Sequence, residues 1–301
     1  MNVILKGVEL GKTGELIPAI GQGTAGFGRY SPYRYYRYYA GMPKILHGFW
    51  LDRSPAIEPL ITAIDLGARL IDTAESYGRG YSEEIVSRVV KLRRNEIFVA
   101  TKVSRENLSP SNLRRSAENS RRRLGVKSID LFQIHWPNPE ISIQSTVRAM
   151  EKLIDEGIVR YIGVCNFKAE LLAEAVNSTS RHQIVSNQIA FSLLERSIEK
   201  NLEEYCRKEH VTIIAHSPLH RGLLTDENVS RITNDRLKAA LVDMRSRYDR
   251  SISQIALNWI ASHPGTTCIP RSVNLRHAID NCQATDFSLR EPDKMALEEA
   301  C

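Results

Sequence analysis

The chain has 301 residues, 42% hydrophobic and 25% charged, which argues against disorder and leaves a globular protein with a sizeable core. No uninterrupted apolar stretch approaches the ~20 residues of a membrane span, and Met1 to Gly14 lacks the basic start and apolar core of a secretory signal, so a cytoplasmic protein without a membrane partner is expected. Five cysteines, Cys165, Cys206, Cys268, Cys282 and Cys301, odd in number and never paired as Cys-x-x-Cys, argue against a disulfide scaffold and a zinc site.

In chain order, Lys12-Thr13-Gly14 offers a tight turn, and Ile20 to Thr24 reads as a first strand. Residues 25 to 56 form a long connection holding the run Arg29-Tyr30-Ser31-Pro32-Tyr33-Arg34-Tyr35-Tyr36-Arg37-Tyr38-Tyr39. Ile57, Leu60, Ile61 and Ile64 then repeat at helical spacing. The strand at 69–74 contains Asp72 and is followed by Tyr77-Gly78; the strand at 97–102 ends on Lys102. Arg114, Arg115, Arg121, Arg122 and Arg123 follow on a helical stretch with Glu118 among them and no interleaved aromatics. The formal charge of +6 raises nucleic acid as a partner, but a solvated helix face is the better reading. The strand at 129–135 ends on His135, and Val147, Met150 and Ile154 keep one helical face. Further strands fall at 161–166, 186–191, 211–217 and 266–270, with a second long connection at 218–250. Long ordered connections in compact domains tend to be functional.

Eight strands alternating with helices imply βαβ units, either an open doubly wound sheet or a closed barrel. Periodicity does not choose between them. A closed barrel would bring Asp72, Lys102, His135, Asn166 and Gln188 to one mouth.

With Asp72, Tyr77, Lys102 and His135 the chain resembles the aldo-keto reductase family, and the match runs over nearly its whole length. The resemblance implies an α/β fold, a single (β/α)8 TIM barrel over residues 1–301, with the segment from Gly7 to Pro18 as a hairpin capping the barrel floor. It also implies the roles. A carbonyl accepts hydride only if its oxygen is protonated or neutralised as charge develops. Tyr77 would be the acid, and Lys102 would lower its pKa from about 10 by stabilising the phenolate. Asp72 would be the counter-ion of a buried Lys102, and His135 would donate a hydrogen bond orienting the carbonyl. Taken singly, each has a plainer reading: a helix cap, a loop aromatic, a solvated strand end, a core histidine. Four such residues at successive strand ends favour the catalytic one.

No Gly-x-Gly-x-x-Gly opens a helix after a strand, so a Rossmann domain is not supported. The resemblance implies instead a nicotinamide cofactor extended over the barrel mouth, with Gly23 and Thr24 at the end of the first strand among its contacts. Cys165-Asn166, where the family has Ser-Asn, and Gln188 would hold the carboxamide. His216-Ser217-Pro218-Leu219-His220-Arg221-Gly222 resembles the family's Tyr-Ser-Pro-Leu-Gly-x-Gly. His216 would stack on the nicotinamide, and the loop through Ser217, Leu219 and Arg221 would meet the pyrophosphate. His216 for Tyr predicts weaker or pH-sensitive cofactor affinity. Arg271-Ser272-Val273, with His277 and Asn281, resembles the site for the adenosine 2′-phosphate and adenine, where a guanidinium grips phosphate in bidentate fashion. NADP is the expected cofactor, with NAD or dual use as alternatives.

On the substrate side, the Tyr-rich run could be a lid or an oligomer contact, since amphipathic rings serve either. Trp50 and Trp136 are expected pocket walls. Twenty residues follow Asn281, so the long C-terminal substrate loop of many family members looks truncated. The expected substrate is a small carbonyl compound or sugar. Two rival functions remain: a cofactor-binding sensor or channel-associated subunit with little turnover, and an NAD-dependent sugar or alcohol dehydrogenase.

Overall fold

A computed structural model describes residues 7–27, 54–198 and 201–301. In the opening segment β1 (Gly7–Glu9) pairs antiparallel with β2 (Leu16–Pro18), Val8 facing Ile17 across the ladder. Both of these side chains are buried, and the turn is closed by the Thr13 hydroxyl donating to Leu10 O at 2.6 Å. The amide of Gly11 donates to Thr212 Oγ1 at the start of a later strand, and that hydroxyl donates to Glu9 O. The hairpin is thereby fastened to the N-terminal end of the strands, as the floor cap that the resemblance implied.

Eight parallel strands follow in the order of the chain: β3 (Gln22–Gly23), β4 (Leu70–Asp72), β5 (Phe98–Val103), β6 (Ile129–Ile134), β7 (Val159–Cys165), β8 (Ile184–Ala190), β9 (Thr212–His216) and β10 (Thr266–Cys268). Each is bonded to the next. Parallel bridges Ile20 to Cys268 and Gly23 to Arg271 bring the first strand against the last, so the sheet curls into a barrel rather than staying open. Glycine is required at this seam: a Cβ on Gly23 would lie 2.7 Å from Ile269 O. Every residue of β5 and β6 is buried, as expected of strands covered on both faces.

The described helices are α1 (Ile57–Asp65), α2 (Tyr81–Arg93), α3 (Pro110–Leu124), α4 (Ile143–Asp155), α5 (Ala169–Asn177), α6 (Leu202–Glu209), α7 (Asp235–Tyr248), α8 (Ile252–Ala261), α9 (Leu275–Cys282) and α10 (Glu291–Ala300). Helix α1 buries Leu60 and Ile64 and leaves Ile57 and Ile61 partly covered; α4 buries Val147 and Met150. Each such side chain contributes about 1.5–3 kcal/mol of transfer free energy. Helix α8 starts at a capping box formed by Ser251 and Gln254, and all ten of its residues are buried.

The connection at 218–250 differs from the expected long loop, since α7 occupies its second half, capped by the Asn234 side chain. The arginine cluster sits on α3 as expected, but not all of it is solvated. Arg123 donates to the buried Glu83 at 2.5 Å, and Glu83 also accepts from Thr101. The Tyr-rich run and Trp50 lie outside the described residues. Among the described residues, no helix is long and apolar enough to cross a membrane.

Candidate active site

The parallel strands deliver their C-terminal residues to one rim, where a cavity of about 1230 Å³ opens. Asp72, the last residue of β4, and Lys102, near the end of β5, are both buried below it. Lys102 Nζ donates to Asp72 Oδ2 at 2.7 Å and to Thr73 O at 2.9 Å, and lies 3.5 Å from the Tyr77 hydroxyl. Gln188 on β8 donates through Nε2 to the other Asp72 oxygen at 2.7 Å. A buried ammonium is expensive unless paired. Burial works against the Lys102 charge, but Asp72 and then Tyr77 outweigh it and hold the amine above its ordinary value.

Tyr77 reaches this pair from the turn after β4, its amide donating to Ala74 O at 3.1 Å. The expectation that Lys102 lowers its pKa is corrected in net direction. Burial raises the phenol above 10.0, Lys102 pulls it down, and Asp72 and Cys165 push it up again, so desolvation wins in the free protein. His135 follows β6 and meets the Tyr77 ring edge-on, centroids 5.6 Å apart at 80°. Burial, then the charge of Lys102, depress its pKa to about 3, so the imidazole is neutral at working pH.

A hydrogen-bond chain ties three strand ends together. Asn166, after β7, donates through Nδ2 to His135 O at 3.0 Å, so its Oδ1 accepts, and His216 Nε2 at 3.1 Å must carry the proton. His216 Nδ1 then accepts from the Ser217 hydroxyl at 3.2 Å. Burial and Lys102 lower the His216 pKa to about 4. In the free protein its titration therefore falls below the pH 5–8 range.

The remaining expected residues divide. Gly23, Trp136, Leu219 and Arg221 line the cavity, and so do Arg271, His277 and Asn281. Thr24 does not: its hydroxyl is buried, bonded to Asp72 O and within 2.7 Å of Ser82 Oγ. Cys165 is fully buried behind the rim, Ser272 turns its hydroxyl to Asn274 O, and Val273 is half-buried outside the lining. Sequence reasoning missed Ser76, whose hydroxyl lies 3.2 Å from His135 Nδ1, although its place beside Tyr77 was a signal. It also missed the carboxylates Asp226, Glu227 and Asp280, which line the same cavity, Glu227 and Asp280 within electrostatic reach of His277.

Two features suit this cavity to a long phosphorylated ligand. Non-glycine residues with left-handed backbones line it: Asn166 (φ 62°), Ser217 (φ 54°) and Arg221 (φ 57°). Each costs of order 1–2 kcal/mol, and such strain concentrates at binding sites, where successive backbone N–H groups can face an anion. Gly26 (φ 92°), also in the lining, lies close under Arg271: a Cβ there would come within 2.5 Å of Nη1, so glycine leaves room for the guanidinium beside the cavity. Among the described residues, no group of three or more His, Cys, Asp or Glu could hold a metal ion.

Comparison with known proteins places this geometry in a family. Residues 48–300 match the sequence profile of the Aldo/keto reductase family. The methylglyoxal reductase YeaE of Escherichia coli (strain K12) is 30% identical over 266 residues, covering 86% of this chain and 91% of that protein. The crystal structure of the thermostable aldo-keto reductase Tm1743, solved with the inhibitor epalrestat, superposes with a TM-score of 0.84 at 34% identity, over 99% of this chain and 100% of that one. An aldo/keto reductase from Klebsiella pneumoniae, solved with NADP and acetate, gives 0.82 at 28% identity over 98% and 95%. The barrel, its hairpin floor and these likenesses together mean that the chain belongs to the aldo/keto reductase family and is an oxidoreductase of that class.

Proposed function

We propose that this protein transfers a hydride between a nicotinamide cofactor and the carbonyl carbon of a small aldehyde, ketone or aldose, with Tyr77 as general acid in the reductive direction. The observation that carries the reading is the convergence of the Tyr77 hydroxyl, the buried Lys102–Asp72 pair and a neutral His135 at one cavity. The similarity to a protein named methylglyoxal reductase supports a small carbonyl compound as substrate.

A reduced nicotinamide, when bound, supplies the hydride. The chain's own residues manage the oxygen and its proton. Neutral His135 offers an N–H to the carbonyl oxygen without competing as an acid. Tyr77 gives its proton to the oxygen as negative charge develops there. The phenolate left behind faces Lys102, whose charge is kept by Asp72, so part of its developing charge is compensated against the cost of burial. Gln188, with Nε2 committed to Asp72, keeps Oε1 as an acceptor for the carboxamide, and Asn166 keeps its second N–H as a donor. Arg271 is the cation for a 2′-phosphate, and the similar structure solved with NADP supports NADP as cofactor. The carboxylates Asp226, Glu227 and Asp280 in the same lining favour a second reading, NAD or dual use, because a ribose hydroxyl suits a carboxylate better than a phosphate does.

The test follows nicotinamide absorbance for the wild type and Tyr77→Phe, with NADPH and NADH, against a panel of aldehydes, ketones and aldoses. Turnover that falls by about 10²-fold or more in Tyr77→Phe, with cofactor affinity kept, is expected. Tight cofactor binding with no turnover in any well would overturn the reading in favour of a sensing role.

A further inference from the structure

Ser76 precedes Tyr77 on the turn after β4, a turn pinned by the Tyr77 amide on Ala74 O and the Arg79 amide on Ser76 O at 3.4 Å. The turn sets the Ser76 hydroxyl 3.2 Å from His135 Nδ1 while the Tyr77 ring abuts the same imidazole. The main chain of His135 is held independently, its amide donating to Val103 O at 2.9 Å and its carbonyl accepting from Asn166 at 3.0 Å. With the backbone fixed, what remains to be decided is which ring nitrogen carries the proton. In a neutral imidazole that is settled by the hydrogen bond at the other nitrogen.

We infer that Ser76 is a positioning residue for carbonyl reduction: its hydroxyl donates to His135 Nδ1 and thereby keeps the proton on Nε2, the nitrogen left to bond the substrate oxygen. This rests on the role of His135 proposed above. A carbonyl oxygen brings lone pairs and no proton, so the productive complex needs a donor at Nε2. A hydroxyl can accept as well as donate, but once the substrate oxygen takes the Nε2 proton as its hydrogen-bond partner, Ser76 donates at Nδ1 and holds that tautomer; with alanine in its place, Nδ1 is left to water, and both tautomers are populated. The imidazole also abuts the Tyr77 ring, so a misplaced proton there costs alignment of the orienting donor beside the acid.

The experiment uses the full chain, wild type, Ser76→Ala and Ser76→Thr, with methylglyoxal as substrate and saturating NADPH. Imidazole nitrogen chemical shifts of ¹⁵N-histidine protein, assigned with His135→Gln, report the tautomer. The expected result is a single Nε2–H form in the wild type, mixed tautomers in Ser76→Ala, and kcat lower by about five- to tenfold in that variant, the worth of one hydrogen bond. NADPH affinity and Tm stay unchanged, and Ser76→Thr recovers most of kcat. Three results overturn the inference: unchanged kcat in Ser76→Ala, the same tautomer in both proteins, or loss of kcat accompanied by equal loss of cofactor affinity and Tm, which marks a structural role. Absence of turnover by the wild type on every carbonyl tested refutes the hydride-transfer reading instead, and the nitrogen spectra still decide the tautomer.

Discussion

Replacing Lys102 by methionine keeps most of the side-chain volume and removes the charge, isolating the electrostatics of the site. Asp72, 2% exposed, then loses its ammonium partner and keeps only the Gln188 N–H, while Thr73 O loses its donor. Breaking a buried pair from one side typically costs 3–5 kcal/mol. The surviving Gln188 bond places this case at the lower end, about 3 kcal/mol at neutral pH. The cost depends on pH with a definite sign. Burial holds the Asp72 carboxyl above its ordinary 3.8 even with Lys102 beside it, and removing that cation raises it further, so protonation favours the fold. The deficit is therefore largest above that raised pKa and shrinks toward pH 4 by up to about 1.4 kcal/mol per unit. Adding Asp72→Asn removes the stranded charge and should restore most of the loss. Urea unfolding of wild type, single and double variants at pH 8 and pH 5 measures all of this. A Lys102→Met loss below about 1 kcal/mol, or one equal at both pH values, refutes the claim that an ion pair, rather than packing, holds these two residues.

Three other outcomes are expected. His135 and His216 fold with pKa values of about 3 and about 4 against an ordinary 6.5, so the unfolded chain binds more protons and stability is lost as pH falls below 6.5. Between pH 7 and 5 the loss is about 1–2 kcal/mol per ring, and unfolding of cofactor-free His216→Phe over that range should show a slope about half as steep. Arg271→Ala should weaken NADPH binding about 10- to 100-fold and leave NADH unchanged by fluorescence titration, since only the phosphorylated cofactor uses the guanidinium. An unaltered ratio sinks the phosphate-clamp idea. Glu151, buried on α4, accepts from the amides of Ser180, Arg181 and His182 and from the Ser180 hydroxyl. Burial opposes its charge, but these bonds outweigh it and hold the carboxyl at about 2. Its contribution is present above pH 4.5 and lost as pH falls toward 2; Glu151→Gln should cost about 2 kcal/mol in urea unfolding at pH 7, and an unchanged midpoint contradicts this.

Much of the architecture was legible because its signals are local. The strand runs carrying Asp72, Lys102 and His135 are mostly apolar, as strands buried on both faces tend to be, and each lies within two residues of where the fold sets it. The stripe of Leu60 and Ile64 gave away α1 in the same way. The helix α7 inside 218–250 was hidden because its face is mostly polar, with Leu237, Leu241 and Met244 its buried residues. Barrel closure was not readable from periodicity, since the bridge of Gly23 to Arg271 joins residues that no pattern links.

By itself, then, the sequence determined the kinds of chemical group available and the strand end on which each sits, because alternation of apolar runs and polar termini is a property of neighbouring residues. The tertiary structure alone decided their states. Burial, which depends on every surrounding element at once, turned the expected lowered Tyr77 phenol into a raised one and kept His216 neutral. Distance across strands chose the partners: Gln188 for Asp72, Asn166 for both histidines, and Ser76 for the ring of His135.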